Sequence, residues 1–420
     1  MRGEVLFDAS RLLSRTERGA PTGVDRVCLA YAEWLLSLPG VKLTPVRSKR
    51  DALIAVDPVW FAESVAEMRE RWAGEHSARA LTAHERRLFE ALRAPTPPAQ
   101  SVLSPPPQPE TADAKVARPR RVWRQFLNSR PMPLDLKGEL YFNVGHTSLN
   151  TPGILTELAA HGTERVVMIH DLIPVTHPEF CRAGDSLKHR RRVRIALAHA
   201  SRILVNSQYT ADAVTAFATA EGLYAPPITV AHLGIEPAFH RNGGPKGLPA
   251  YFVHIGTIEA RKNLAFLLTV WRRLRERMGP DAPRLALIGR YGWENEAVLD
   301  HLDRSPALQG RVHQASDLPD AALVELMRGA RAVLAPSEVE GFDLPAVEAC
   351  ALGVPLIASD IPVHRELTPQ AQLIDPLDGP GWVRALESAT RRAPKAPQPY
   401  AAPTWEDHFE TVRTALKRRR

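Results

Sequence analysis

The sequence predicts an α/β protein made of two doubly wound parallel sheets. Three observations carry this reading. Short apolar runs of strand length alternate with amphipathic runs of helix length. The alternation comes as two series, separated near residue 245 by a Gly/Pro-rich stretch, HRNGGPKGLP, that lacks periodicity. The composition, 44% hydrophobic and 24% charged over 420 residues, is that of a globular chain with enough apolar residues for more than one core.

The first series opens with EVLFD (4–8), a short buried strand. A polar loop, SRTERGAPTG, leads into VDRVCLAYAEWLL, whose apolar spacing is helical, and VKLTPV (41–46) is a second strand. Residues of about 57–137 interrupt the rhythm. They begin with a helical stretch, WFAESVAEMRERWAGEHSARALTAHERRLFEALRA. Residues 95–133 then hold ten prolines and read as a disordered or extended insertion. Its end carries Arg118, Arg120, Arg121, Arg124 and Arg130 with Trp123 and Phe126. That is either a basic amphipathic patch for a membrane or nucleic acid, or a solvated charged face. The rhythm resumes with strands at 138–145, 166–169, 202–207 and 228–235.

The second series has strands at 251–256, 284–289, 331–337 and 354–359, with a weaker one at 371–375. Its helix 264–278 ends at Gly279–Pro280, and a last helix with a basic end, Lys417–Arg420, starts at Trp405. The expected domains are 1–245, holding the insertion, then 246–400, and a C-terminal helix in 401–420 packing back on the first domain. Ligands of such sheets bind at the carboxyl ends of strands, and two facing domains make a cleft.

Several classes are excluded. No apolar run approaches the roughly 20 residues of a spanning helix. The N-terminus lacks the apolar segment of a secretory signal. Cys28, Cys181 and Cys350 are far apart and form no CxxC, which argues against a disulfide framework or structural zinc and favours the cytoplasm. No P-loop, HExxH, GxSxG or GxGxxG after the first strand is present. The formal net charge of +7 favours acidic partners without choosing among them.

Four stretches can carry chemistry. In PSEVEGFDLPAVEACALGVPLIAS (336–359) a strand ends near Ser337, a loop carries Glu338, Glu340 and Gly341, and a helix begins near Pro345 with Glu348 one turn in. Two carboxylates eight residues apart suit two ends of one polyhydroxylated ligand, and the helix-start amides suit a phosphate. Asp343 and Glu348 equally suit simple complements to the helix dipole. In GTIEARKNLAFLL (256–268), Arg261 and Lys262 follow a strand ending at Gly256, with Asn263 at the N-cap position: a diphosphate clamp, or a solvated basic turn. In VVMIHDLIPVTHPEF, His170–Asp171 follow an apolar strand directly, as a ligand-facing pair or as a satisfied buried histidine. In GAPTGVDRV, Gly23 allows close approach of a ligand, and Arg26 lies in the first helical turn.

Taken together, Glu340-Gly341-Phe342-Asp343-Leu344-Pro345-Ala346-Val347-Glu348, GTIEARKN and the His–Asp pair resemble the GT-B glycosyltransferases of retaining family 4, the glycosyl transferases group 1. The resemblance covers roughly 4–50 and 138–418. It implies a GT-B fold and a hexosyltransferase, with a mannose-like sugar favoured, that uses a nucleotide-diphosphate sugar to build bacterial surface polysaccharide such as lipopolysaccharide. By that resemblance His170, Arg261, Lys262 and Glu340 are catalytic. Gly23, Gly256, Glu340, Gly341, Phe342, Asp343, Leu344 and Glu348 bind donor, with Glu348 on the ribose and Glu340 on the sugar. Arg26 and Asp171 lie toward the acceptor. The anomeric configuration is retained, with the leaving phosphate as base and no metal or other cofactor. The acceptor is a glycan or a polyprenyl-diphosphate-linked glycan, and nucleic acid is not a partner. Basic residues suit peripheral attachment to an anionic inner membrane.

One departure stands out: Asp343 occupies a position where the family usually has glycine, and its carboxylate either repels a diphosphate or bonds a sugar hydroxyl. Two other classes compete. A sugar-nucleotide epimerase or phosphorylase on the same architecture would act without a glycan acceptor, and a non-catalytic sugar-nucleotide sensor or scaffold would bind without turnover.

Overall fold

A computed structural model describes residues 3–16, 21–49, 52–73, 81–105, 140–240, 251–392 and 399–417. Two sheets organise them. The first contains β1 (Gly3–Asp8), β2 (Val41–Lys49), β3 (Ala52–Ala55), β4 (Leu140–Asn143), β5 (Glu164–Ile169), β6 (Arg202–Val205) and β7 (Ile228–Val230). Their order is β3-β2-β1-β4-β5-β6-β7, parallel except at β2–β3. The second contains β8 (Tyr251–Ile255), β9 (Arg284–Ile288), β10 (Val312–Ala315), β11 (Ala332–Ala335), β12 (Leu356–Ser359) and β13 (Gln372–Ile374). Their order is β10-β9-β8-β11-β12-β13, all parallel.

Parallel strands need crossover helices, which cover both faces of the sheet. The strands are therefore apolar without alternation: β6 (RILV) and β11 (AVLA) are buried at every position. In the second sheet β8 is flanked by β9 on one side and β11 on the other. The crevice outside the carboxyl ends of β8 and β11 is the switch point of that sheet. In the first sheet the equivalent crevice lies between β1 and β4.

The helices that frame the site are α1 (Gly23–Ser37), α2 (Pro58–Ala73), α3 (Ala83–Arg93), α4 (Gln208–Ala220), α5 (Leu264–Met278), α6 (Asp320–Gly329), α7 (Leu344–Ala351), α8 (Pro362–Leu367) and α9 (Trp405–Lys417). α1 starts in a capping box in which Thr22 and Asp25 satisfy each other's backbone amides. α9 crosses to the first domain, where the Trp34 and Phe409 rings stack at 4.4 Å and Tyr31 Oη lies 2.9 Å from His408 Nε2.

The insertion differs from its sequence reading. The single helical stretch is two helices: α2 buries Phe61, Val65 and Met68, and α3 buries Leu88 and Leu92. These side chains join one apolar cluster running from Phe7 and Phe142 of the first domain to Val253 and Ala286 of the second. Arg284 then donates to the Leu92 carbonyl at 2.9 Å. The start of the proline-rich stretch, expected to be disordered or extended, forms neither helix nor strand over residues 95–105 and is tied to the edge strand β10. Gln314 N donates to Val102 O at 2.8 Å, and Val102 N to His313 Nδ1 at 3.0 Å. Prolines suit this role, since an edge-covering strap need not continue a ladder. Residues 106–139, with Arg118, Arg120, Arg121, Arg124, Arg130, Trp123 and Phe126, lie outside the described residues, as do 241–250 and Arg418–Arg420. β3 and β10 were also missed as strands.

Candidate active site

The site begins where β8 ends. Gly256 turns the chain at φ +153°, a conformation that favours glycine, and a Cβ there would lie 3.0 Å from Lys262 Cε and press the lysine stem aside. A 3-10 turn, Ala260–Lys262, presents Arg261 and Lys262 ahead of α5. Asn263 occupies the N-cap position with φ +55°, but its side chain makes no capping bond. Opposite, the loop after β11 brings Ser337 to Asp343 to the start of α7, and its Glu338 N donates to Arg261 O at 2.9 Å.

Here Arg261, Lys262, Glu340 and Asp343 converge. Lys262 Nζ lies 2.6 Å from Glu340 Oε1 and 3.6 Å from Asp343 Oδ1. Arg261 pairs with the other oxygen of Glu340, and its Nε lies 2.6 Å from Glu259 Oε1. Ser337 Oγ donates to Glu340 Oε1 at 2.8 Å. Lys262, Glu340 and Asp343 are buried, and burying a lone charge is costly. Pairing resolves that cost. Burial works against the charge of Glu340, yet Arg261 and Lys262 outweigh it and hold the carboxyl below its usual range. For Lys262, burial is outweighed by Asp343 and Glu340, which raise its pKa. Asp343 sits at φ +61°, which accounts for the glycine usual at this position. Burial disfavours its ionised form, but Lys262 and a hydrogen bond with His364 hold it well below the usual range.

The first domain meets this loop directly. A Cβ on Gly341 would sit 2.5 Å from the His170 carbonyl oxygen and 3.0 Å from Asp171 Cβ. Ser207 Oγ donates to Gly341 O at 2.8 Å. His170 Nε2 donates to Val144 O at 2.8 Å, and burial lowers the ring's pKa to about 4. The ring is neutral, which leaves Nδ1 as an acceptor. His146 packs on it at 4.8 Å between centroids. Asp171 Oδ1 accepts from Ile173 N at 3.1 Å. Phe342 packs near His232, and Gly23 reaches Leu344, with 3.4 Å from a Gly23 Cβ to Leu344 Cδ1. Glu366 of α8 accepts from the first two amides of α4 and from His232, a further bond between the domains.

Glu348 stands one turn into α7, buried beside a second cluster. Burial pushes its carboxyl up to about 8. Arg26 opposes this shift, whereas Asp320, Glu236 and Asp343 reinforce it. Arg26, expected toward the acceptor, is engaged between the domains. Its guanidinium donates to both oxygens of Asp320 in the second domain, at 3.0 and 2.6 Å, and lies 4.0 Å from Glu236. That bidentate pair ties α1 to α6 and leaves the guanidinium engaged. The sequence reading also missed Glu259, Ser337, His146 and His364. Glu259 and Ser337 lie within the quoted stretches but gain a role only through Arg261 and Glu340, while His146 and His364 lie outside them. Among the described residues no group of three or more His, Cys, Asp or Glu side chains is placed to hold a metal ion. No described helix is long and apolar enough to cross a membrane.

Two facing doubly wound domains, with paired cations at one strand end and an acid-bearing loop beside them, are the GT-B class of architecture. Residues 236–389 match the family described as "Glycosyl transferases group 1". Among curated proteins, the serotype-specific mannosyltransferase WbdA of Escherichia coli is 27% identical over 235 residues, 51% of this chain and 29% of that protein. The O-antigen chain mannosyltransferase B of Escherichia coli is 35% identical over 129 residues, 30% of this chain and 33% of that protein. The chain thus spans about a third or less of these relatives' lengths. Among solved structures, Anabaena Alr3699/HepE in complex with UDP-glucose has a TM-score of 0.56 at 15% identity, covering 99% of this chain and 95% of that one. The fold is GT-B, and the chain resembles bacterial O-antigen mannosyltransferases.

Proposed function

We propose that the chain is a retaining hexosyltransferase of bacterial surface polysaccharide synthesis. It moves a mannose-like sugar from a nucleotide diphosphate to a glycan or polyprenyl-diphosphate-linked acceptor. The observation that carries this reading is the Arg261–Lys262 pair on Glu340 at the β8/β11 switch point, facing His170 across Gly341. When donor binds, its phosphates take Arg261 and Lys262, and Glu340 is released to accept from sugar hydroxyls. Glu348, protonated at neutral pH, donates to a ribose oxygen or accepts from its hydroxyls.

The bond that breaks joins the anomeric carbon to the phosphate oxygen; the bond that forms joins the same carbon to the acceptor oxygen. The proton of the acceptor hydroxyl passes to the departing phosphate. Arg261 and Lys262 stabilise the charge that develops there, so no protein nucleophile or metal is required. The neutral His170 stays on the donor side, and Asp171 lies toward the acceptor. The O-antigen mannosyltransferase relatives support the sugar class, and the UDP-glucose complex of Alr3699/HepE supports a nucleotide-sugar donor. The reading includes a cytoplasmic site of action and peripheral contact with the inner membrane.

A thermal-shift panel of nucleotide-sugars tests it, since a bound donor raises apparent stability. One donor is expected to stand out, followed by transfer that persists in EDTA with the donor's anomeric configuration kept in the product. Conversion of donor without acceptor would support an epimerase instead. Binding with no transfer to any acceptor would support a sensor.

A further inference from the structure

His364 has no part in the chemistry above, yet it is fully buried in the first turn of α8 with both ring nitrogens on oxygens. Nδ1 lies 2.8 Å from the Ser359 carbonyl and Nε2 lies 3.0 Å from Asp343 Oδ2. A carbonyl only accepts, so Nδ1 carries a proton. Asp343 is ionised, with its other oxygen toward the Lys262 ammonium, so Nε2 carries one too. The ring is an imidazolium. Its partner is the residue that departs from the family pattern, held in a left-handed conformation that favours glycine.

The charges then alternate through the site: His364, Asp343, Lys262, Glu340, Arg261, Glu259. Three cations face three anions. The groups facing His364 are Asp343 at the start of α7, the Ser359 carbonyl at the end of β12 and Glu340 in the loop after β11. Behind Asp343 stand Lys262 and His254. Burial holds His254 at about 4, and its Nδ1 donates to Leu334 O at 3.0 Å, so it adds no charge. Without the His364 proton the cluster would carry one excess negative charge beside the position proposed for the donor diphosphate.

We propose that His364 is a positioning residue for donor binding: its imidazolium cancels the Asp343 carboxylate, which can then hold the Lys262 ammonium in place without repelling a diphosphate. This rests on the glycosyl-transfer reading of the site. Burial disfavours the charged ring, whereas the hydrogen bond and charge of Asp343 favour it and raise its pKa above the ordinary histidine value. Donor affinity should therefore be highest below the His364 transition, which lies above the ordinary histidine value, and fall as pH rises through it.

The test titrates ADP, CDP, GDP, TDP and UDP into the full chain and its variants, and follows the tightest. His364→Gln is expected to weaken that Kd by about 10- to 100-fold, the size of a lost charge-assisted bond. His364→Gln combined with Asp343→Gly should recover to within about threefold of Asp343→Gly alone, because the uncompensated carboxylate is gone. Equal Kd for His364→Gln and the unmodified chain, or no recovery in the double variant, would overturn the proposal. If His364→Gln fails to fold, Asp343→Gly decides: the loss of affinity with rising pH seen in the unmodified chain should disappear, and its persistence would overturn the proposal. Nitrogen-15 histidine spectra near pH 7 should show both His364 nitrogens protonated; a singly protonated ring overturns the proposal. Should no nucleotide bind the unmodified chain, the donor reading fails and the proposed role with it. The spectra would separate the two failures by still reporting the charge of the ring.

Discussion

Gly341 lies against His170 so closely that a methyl group at position 341 would sit 2.5 Å from the His170 carbonyl oxygen. One residue belongs to the acid-bearing loop of the second domain, the other to the end of β5 in the first. The glycine in this motif therefore has a reason beyond local backbone freedom: it lets the two halves of the site touch. Gly341→Ala should separate the loops and break the Ser207–Gly341 hydrogen bond. Transfer is expected to fall by about 100-fold, in line with the cost of displacing reacting groups by an ångström. The melting temperature should fall as well, by the equivalent of about 1–3 kcal/mol, because Gly341, His170 and Ser207 are all buried where the loops meet. Steady-state kinetics beside a thermal melt checks this, and full activity would contradict it.

Arg261 grips Glu259 with Nε and Glu340 with a terminal nitrogen, a geometry that needs the planar fork of a guanidinium. Arg261→Lys keeps the charge and loses the fork. We expect kcat/KM for donor to drop by about 10- to 100-fold, and Arg261→Ala to drop it further, toward the loss of about 10²–10³ typical of a removed transition-state donor. Circular dichroism should be unchanged in both.

Glu348 ties stability to pH. Its folded pKa of about 8 exceeds the ordinary 4.5, so the folded chain holds a proton that the unfolded chain has lost between those values. Stability should then fall as pH rises from about 4.5 to about 8. Glu348→Gln removes that dependence. It should raise the melting temperature near pH 8, by the equivalent of a few kcal/mol at most, while weakening nucleotide binding. A melt series from pH 5 to about 9 reads both slopes, and parallel slopes in the two proteins would contradict the assignment.

Arg26 and Asp320 join the domains through a buried bidentate pair. Arg26→Ala leaves Asp320, Glu236 and Glu348 facing one another, and should cost about 3–5 kcal/mol in denaturant unfolding. The double variant with Asp320→Ala should recover part of it. Additive losses would show the pair to be uncoupled.

Much of this arrangement was legible beforehand, for one physical reason. Parallel strands covered on both faces read as unbroken apolar runs, so VVMI, RILV and VLA announced themselves. β10 did not, because its buried His313 and Gln314 accept from the backbone amides of Val102 and Ser104, in a strap some 210 residues earlier in the chain. Arg261, Lys262 and Glu340 were legible because two short stretches, each at a strand end, meet at adjacent strands, while Glu348 follows one turn into the helix beside a second cluster. His364 was not: 21 residues separate it from Asp343, and nothing in PVHREL marks a charged partner. The pairing of Arg26 was hidden for a similar reason, since Asp320 lies 294 residues away.

The most direct measurement is a structure of the full chain with the tightest-binding nucleoside diphosphate. The expected result puts diphosphate oxygens within hydrogen-bond distance of both the Arg261 guanidinium and the Lys262 ammonium, with Glu340 no longer paired to Lys262. A nucleotide bound elsewhere, or a diphosphate held while the Lys262–Glu340 pair stays intact, would contradict the exchange of partners on which the proposed transfer depends.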